Sequence, residues 1–139
     1  MKVMDVTVSE VQGRLPVTIL CPHGPLDASN YQELIAQAQK AHAAGARDIL
    51  LDLGDVSYMS SSGLVALQSI AALLRGDDLP DLKSGWEAYR TVHRDRDTGF
   101  QTHFKLLNPQ PLIDHVLEVV GLKRYLEIHT DLDTAIASF

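Results

Sequence analysis

Residues 48–63 read DILLDLGDVSYMSSSG. The run Ile49-Leu50-Leu51-Asp52-Leu53 is almost wholly apolar, and continuous apolar character marks a strand buried on both faces, here residues 48–53. Gly54-Asp55 supplies a turn, and a second short apolar element spans residues 56–59. Ser60-Ser61-Ser62 follows, and Gly63 opens a stretch that places Leu64, Leu67, Ile70, Ala71 and Leu74 at helical spacing. A strand therefore delivers three hydroxyls to the first turn of a helix. There the unpaired N–H groups and the positive end of the helix dipole favour negative charge. Two roles are open to such a serine: a site of reversible phosphorylation, or a helix cap.

Toward the N-terminus, Val3, Val6, Val8 and Val11 stand at near-alternating positions and predict a first strand. Gly13-Arg14-Leu15-Pro16 supplies a turn, and residues 17–21 form a second strand, antiparallel to the first. Pro22 and Gly24-Pro25 break the pattern. Asp27 or Ser29 then caps a helix through Tyr31, Leu34, Ile35, Ala38 and Ala41-His42 that ends near Gly45.

Toward the C-terminus, residues 76–102 turn polar and mixed in charge, with a short helix predicted over 83–93 carrying Trp86 and Tyr89 on one side. Phe104-Lys105-Leu106-Leu107 reads as a strand. Asn108-Pro109 leads into a helix bearing Leu112, Ile113, Val116, Leu117 and Val120, and a strand around 125–128 and a helix over 131–139 follow. Helices alternate with strands, which predicts one α/β domain over residues 1–139. Its mixed sheet is packed with about four helices, and residues 76–102 form an inserted loop.

The 139 residues carry a net charge of −6 and show no basic face, which argues against nucleic acid as a partner. Cys21, the single cysteine, allows no intramolecular disulfide; in the run Val17-Thr18-Ile19-Leu20-Cys21 it reads as a buried, inert thiol. Residues 1–12 alternate instead of building a signal-peptide core, and no apolar run approaches the ~20 residues that cross a bilayer. A cytoplasmic protein with no direct membrane insertion is expected.

Nor does a catalytic constellation assemble. The histidines at 23, 42, 93, 103, 115 and 129 lack paired metal-ligand spacing, and no cofactor or metal is expected. Asp97-Thr98-Gly99 spells the aspartic-protease triplet without the apolar strand that triplet requires. His93-Arg94-Asp95 spells the opening of a kinase catalytic loop, yet Phe100 stands where the metal-binding asparagine belongs. Asp52 and Asp55, flanking the central turn, read as turn and cap residues. The chain is not expected to be an enzyme.

Three stretches together resemble the STAS domain family, particularly the bacterial anti-sigma factor antagonists. Gly24-Pro25-Leu26-Asp27-Ala28 resembles the family's turn before its first helix. Residues 51–64, LDLGDVSYMSSSGL, resemble its signature LDLSxVxxxDSSGL. Residues 104–139 look like its closing strand-helix-strand-helix, with Gly121-Leu122 and residues 130–136 in familiar places. In such antagonists the serine after the motif's aspartate is phosphorylated by a partner that is both serine kinase and anti-sigma factor, and the unmodified form binds that partner. Position by position, the resemblance puts the acceptor on Ser61, with Ser60 and Ser62 as alternatives, and a binding surface on Asp27, Ser60, Ser61, Ser62, Gly63 and Leu64. It also sets His23, beside the Gly24-Pro25 turn, near the serines as a group to stabilise a phosphate.

The sequence departs from the pattern twice. Ser60 occupies the aspartate position, which removes a carboxylate beside a phosphate of about −2 charge and makes Ser60 a candidate acceptor in its own right. Residues 76–102 exceed the usual loop length, and Trp86 with Tyr89 suits a contact with a partner or with a second copy in a homodimer. The function implied is a phosphorylation-switched binding module. The alternatives are an accessory subunit bound to the ATPase of a lipid-trafficking ABC transporter, with structural serines, or a scaffold subunit of a STAS signalling assembly.

Overall fold

The N-terminal alternation becomes a hairpin. In the computed structural model, which describes residues 5–75 and 101–139, β1 (Asp5–Gln12) pairs antiparallel with β2 (Pro16–His23), Val8 lying opposite Leu20 and Val11 opposite Val17. The two-residue period sends Val6 and Val11 to opposite faces, where each packs against a different apolar cluster. All later pairings are parallel: β3 (Ile49–Asp52) on β2, β4 (Phe104–Leu107) on β3 and β5 (Ile128–His129) on β4. The sheet order is β1-β2-β3-β4-β5. Parallel neighbours need crossover connections. The helices of the described residues lie on those connections or at the end: α1 (Tyr31–Ala43), α2 (Ser61–Arg75), α3 (Pro111–Val119) and α4 (Leu132–Ala137).

β3 is central, and its apolar run is buried on both faces as expected. Ile49 and Leu51 enter the larger cluster with Leu34 and Ile35 of α1, Leu67 and Ile70 of α2, and Ile113 and Leu117 of α3. Leu50 enters the smaller one with Val17, Ile19, Leu107, Ala135 and Ile136. On that second face Lys105 is buried, its ammonium bonded to the Ser138 carbonyl at 2.8 Å and the Ser138 hydroxyl at 3.1 Å. It also pairs with Glu127 at 3.0 Å and lies 4.9 Å from the centre of the Phe139 ring. A buried ammonium persists only when its donors are satisfied in this way, and the arrangement pins the C-terminal turn to β4.

Several elements differ from the sequence reading. Residues 56–59 form no strand of their own. The strand expected around 125–128 is shorter and shifted, to Ile128–His129: Gly121, at φ +83°, ends α3, a 3-10 turn spans Leu122–Arg124, and Tyr125 and Leu126 are buried from an irregular segment before the two-residue β5. Helix α3 starts at Pro111, so Leu112 points outward, 61% exposed. Helix α2 buries every residue from Gly63 to Ala72, more than the single apolar stripe predicts, while Leu74 is only half-buried. A helix apolar nearly all round is buried on every side, not along one stripe. The predicted helix over 83–93, Trp86, Tyr89 and the triplets within 93–99 lie outside the described residues. No helix among those described is long and apolar enough to cross a membrane.

Candidate functional site

Between β3 and α2 the chain runs as a strap along residues 24–26. Asp52 Oδ1 accepts the Gly54 N–H at 2.9 Å, closing the turn that the sequence assigned to it. Gly24 N–H then donates to Asp55 O (3.0 Å), Ser57 N–H to Gly24 O (3.4 Å), Leu26 N–H to Tyr58 O (2.8 Å) and Ser60 N–H to Leu26 O (3.0 Å). Leu26 and Met59 form an isolated parallel bridge. Val56, Met59 and Leu26 face inward while Ser57 and Tyr58 are exposed, so the strap seats Leu26 and Met59 beneath the first turn of α2.

Gly63 is what allows that seat. A Cβ there would lie 2.7 Å from Met59 Cγ and 3.1 Å from Leu26 Cγ, inside van der Waals contact. The three serines then fall into distinct places. Ser60 caps the helix: its Oγ accepts the Gly63 N–H at 3.4 Å and its carbonyl the Leu64 N–H at 3.2 Å. Ser61 is the first helical residue and is exposed, its hydroxyl bonded to none of the described residues. Ser62 is half-buried. The first turn of α2 carries no acidic side chain, so no carboxylate there offsets the positive helix terminus. Gly63 and Leu64 are buried and support this surface without forming it.

Asp27 adjoins the strap. Its Oδ1 accepts the Ser29 hydroxyl at 2.5 Å and the Ser29 N–H at 2.9 Å, and these two bonds hold its carboxyl below the usual range. Its carbonyl accepts the N–H of Asn30 (3.2 Å) and Tyr31 (3.0 Å). The expected capping of α1 by Asp27 or Ser29 is therefore corrected. Both belong to a turn ahead of the helix, and Asn30 is the N-cap, its Nδ2 donating to Pro25 O at 2.8 Å.

His23 holds the strap from the other side. One ring nitrogen bonds the Asp55 carboxylate and the other the Thr7 hydroxyl at 2.8 Å, so both are engaged within the fold. The Asp55 bond raises the imidazole pKa from 6.5, aided by the charges of Asp55, Asp5 and Asp52 and opposed by desolvation. A raised value means that this clasp stabilises the fold fully below pH about 6.5 and loses its contribution as pH rises through the raised value. The wild-type unfolding midpoint should therefore fall above pH 6.5 more steeply than that of His23→Gln. An imidazole that titrates below 6.5 by NMR would remove the basis for this.

Cys21 is half-buried, not fully so. Burial, then the charges of Asp52 and Asp55 and a hydrogen bond to Asp52, push its thiol pKa up, which keeps it protonated and inert. No group of three His, Cys, Asp or Glu side chains among the described residues is placed to hold a metal ion. The strap and the His23–Asp55 clasp escaped the sequence reading. Their one signal there is the pairing of two turn signals, Gly24-Pro25 and Gly54-Asp55, at the ends of neighbouring strands.

The STAS domain family model matches residues 8–78. BtrV of Bordetella bronchiseptica, described as an anti-sigma factor antagonist, is 33% identical over 72 residues, covering 52% of this chain and 60% of BtrV. The chain thus spans about three fifths of the length of that relative. A crystal structure from Thermotoga maritima, also described as an anti-sigma factor antagonist, superposes with a TM-score of 0.65 at 21% identity, covering 94% of this chain and 90% of its own. The Bacillus cell fate determinant SpoIIAA, solved in its phosphorylated form, superposes with a TM-score of 0.51 at 20% identity over 95% of this chain and 96% of its own. The two structures share the fold.

Proposed function

The chain belongs to the STAS domain family, and from that premise we propose that it is a phosphorylation-switched binding module of the anti-sigma factor antagonist type. With Ser61 unmodified it docks on a protein that is both anti-sigma factor and serine kinase; phosphate on Ser61 ends the contact. The observation that carries this reading is the division of labour among the serines. Ser60 Oγ is turned to the Gly63 N–H as a cap, whereas the Ser61 hydroxyl is exposed and bonded to no described residue. A phosphate there meets a helix N-terminus without a first-turn carboxylate, which favours it by about 0.3–1 kcal/mol. The domain stays folded and the charge acts on the interface. ATP and its chemistry belong to the partner, and this chain acts by binding, as a cytoplasmic single-domain protein with residues 76–102 inserted.

Incubation with the cognate kinase and ATP, followed by site mapping with mass spectrometry, tests the assignment. Phosphate is expected on Ser61. Phosphate on Ser60 alone shifts the acceptor by one residue and exchanges acceptor for cap. A chain never modified at any of the three serines favours the accessory-subunit reading, in which the hydroxyls serve packing alone and the ATPase of a transporter is the partner.

A further inference from the structure

β1 is an edge strand. Among the described residues it pairs with β2 alone, which leaves one side of its ladder open along eight residues, while the opposite edge, β5, has two. Proteins blunt such an edge with proline, charged side chains (lysine above all), a bulge or short length, and the charges on this edge are Asp5 near its end and Glu10. Residues 5–12, DVTVSEVQ, contain neither proline nor lysine and match β2 residue for residue without a bulge. Beside this edge the surface is apolar. Val8 at mid-strand is 49% exposed and Leu15 in the hairpin turn 46%, and both line a groove together with Pro16, Ala41 and Ala44.

We propose that this edge pairs with the same edge of a second copy of the chain, antiparallel about a two-fold axis at Val8, which joins the two sheets into one. Residues opposed across such an axis share a face of the sheet, so their numbers sum to an even value. With the axis at Val8, Val8 meets Val8, Thr7 meets Ser9, Val6 meets Glu10 and Asp5 meets Val11. The valine contact falls on the groove side, where it covers exposed apolar surface; on the other face the Thr7 hydroxyl, already bonded to His23, keeps a lone pair that can accept from Ser9. No like charges oppose each other, since Asp5 and Glu10 each face a valine. Moving the axis to Ser9 sets Val8 against Glu10, and moving it to Thr7 shortens the ladder. The strand is self-complementary in this register, which selects a second copy as its occupant. The groove adjoins Arg47 and Asp48 at the entrance of β3, whereas the serines follow its exit, and the pairing does not depend on the binding function proposed above.

Charge swapping at the axis tests this. Wild-type chain should sediment as a dimer at high micromolar concentration. Val8→Lys and Val8→Glu each place like charges face to face and should raise the dimer Kd at least about tenfold. Mixed in equal amounts, the two variants should re-form a dimer holding one of each, resolved by native mass spectrometry, with circular dichroism confirming that both are folded. A wild-type chain monomeric up to about 1 mM would overturn the proposal, as would a dimer that neither substitution weakens. A mixture that fails to pair would overturn the axis at Val8. Capture of an extended peptide on β1 of a monomeric chain would assign the edge to another partner.

Discussion

If the chain docks on the kinase proposed above, Ser61→Asp should weaken that binding about a hundredfold and leave the unfolding midpoint nearly unchanged. The two halves of that expectation come from the same position. Ser61 is exposed at the first residue of α2, so a carboxylate there desolvates nothing on folding, and the helix terminus favours it by up to about 1 kcal/mol. At a closely packed interface, an added charge without a counter-charge costs several kcal/mol, and about 2.7 kcal/mol corresponds to a hundredfold. Ser61→Ala should bind as wild type and accept no phosphate at that position. Ser60→Ala separates capping from switching: it removes the bond to the Gly63 N–H, costs about 1 kcal/mol of stability and leaves Ser61 able to accept phosphate. Calorimetric titration of the partner paired with thermal unfolding reads both quantities. Equal affinity of Ser61→Asp and wild type would place the switch elsewhere.

The central strand β3 is legible because a continuous apolar run has one good solution, burial on both faces, and Ile49-Leu50-Leu51 divides between the two clusters accordingly. The strap was not legible. Val56 and Met59 carry the apolar character of a strand, yet both edges of β3 are already taken by β2 and β4, and the segment pairs instead with the backbone of residues 24–26. Local chemistry misleads in the same way at α1. Asp27, Ser29 and Asn30 are all capping residue types, and the path of the chain after Pro25 decides which of them lies at the helix start. Tyr125 and Leu126 look like strand residues because they are large and buried, but Gly121 turns the chain so that they reach the core from a loop. At the site itself, three adjacent serines are equivalent as letters. Only the phase of α2 separates the cap at Ser60 from the exposed hydroxyl at Ser61. The His23–Asp55 clasp joins groups 32 positions apart, and it depends on β2 and β3 being neighbours, which no local pattern states.

Gly63→Val should be the most damaging single change near the site, at a cost of about 3 kcal/mol or more. Its Cβ would fall 2.7 Å from Met59 Cγ and 3.1 and 3.2 Å from Leu26 Cγ and Cδ2, and valine adds two methyl groups beyond that. Leu26 cannot retreat. It is fully buried, and its N–H and carbonyl are held by Tyr58 and Ser60 in the strap. Overpacking of this kind costs about 1–3 kcal/mol for the first carbon, and against a total stability of about 5–15 kcal/mol the branched side chain removes a large fraction. Gly63→Ala is the milder probe. Its gain of about 1 kcal/mol in helix propensity offsets part of the clash, so the net loss should be near 1 kcal/mol. The relief must then come from moving the first turn of α2, and Ser61 moves with it. Gly63→Ala should for that reason lower partner affinity in a chain that remains folded. Combining it with Met59→Ala, which clears the nearest atoms, should recover stability relative to the sum of the single changes. Denaturant unfolding of the four variants measures that coupling. If Gly63→Ala proves more stable than wild type, the close seat of α2 on Leu26 and Met59 is not what requires glycine there.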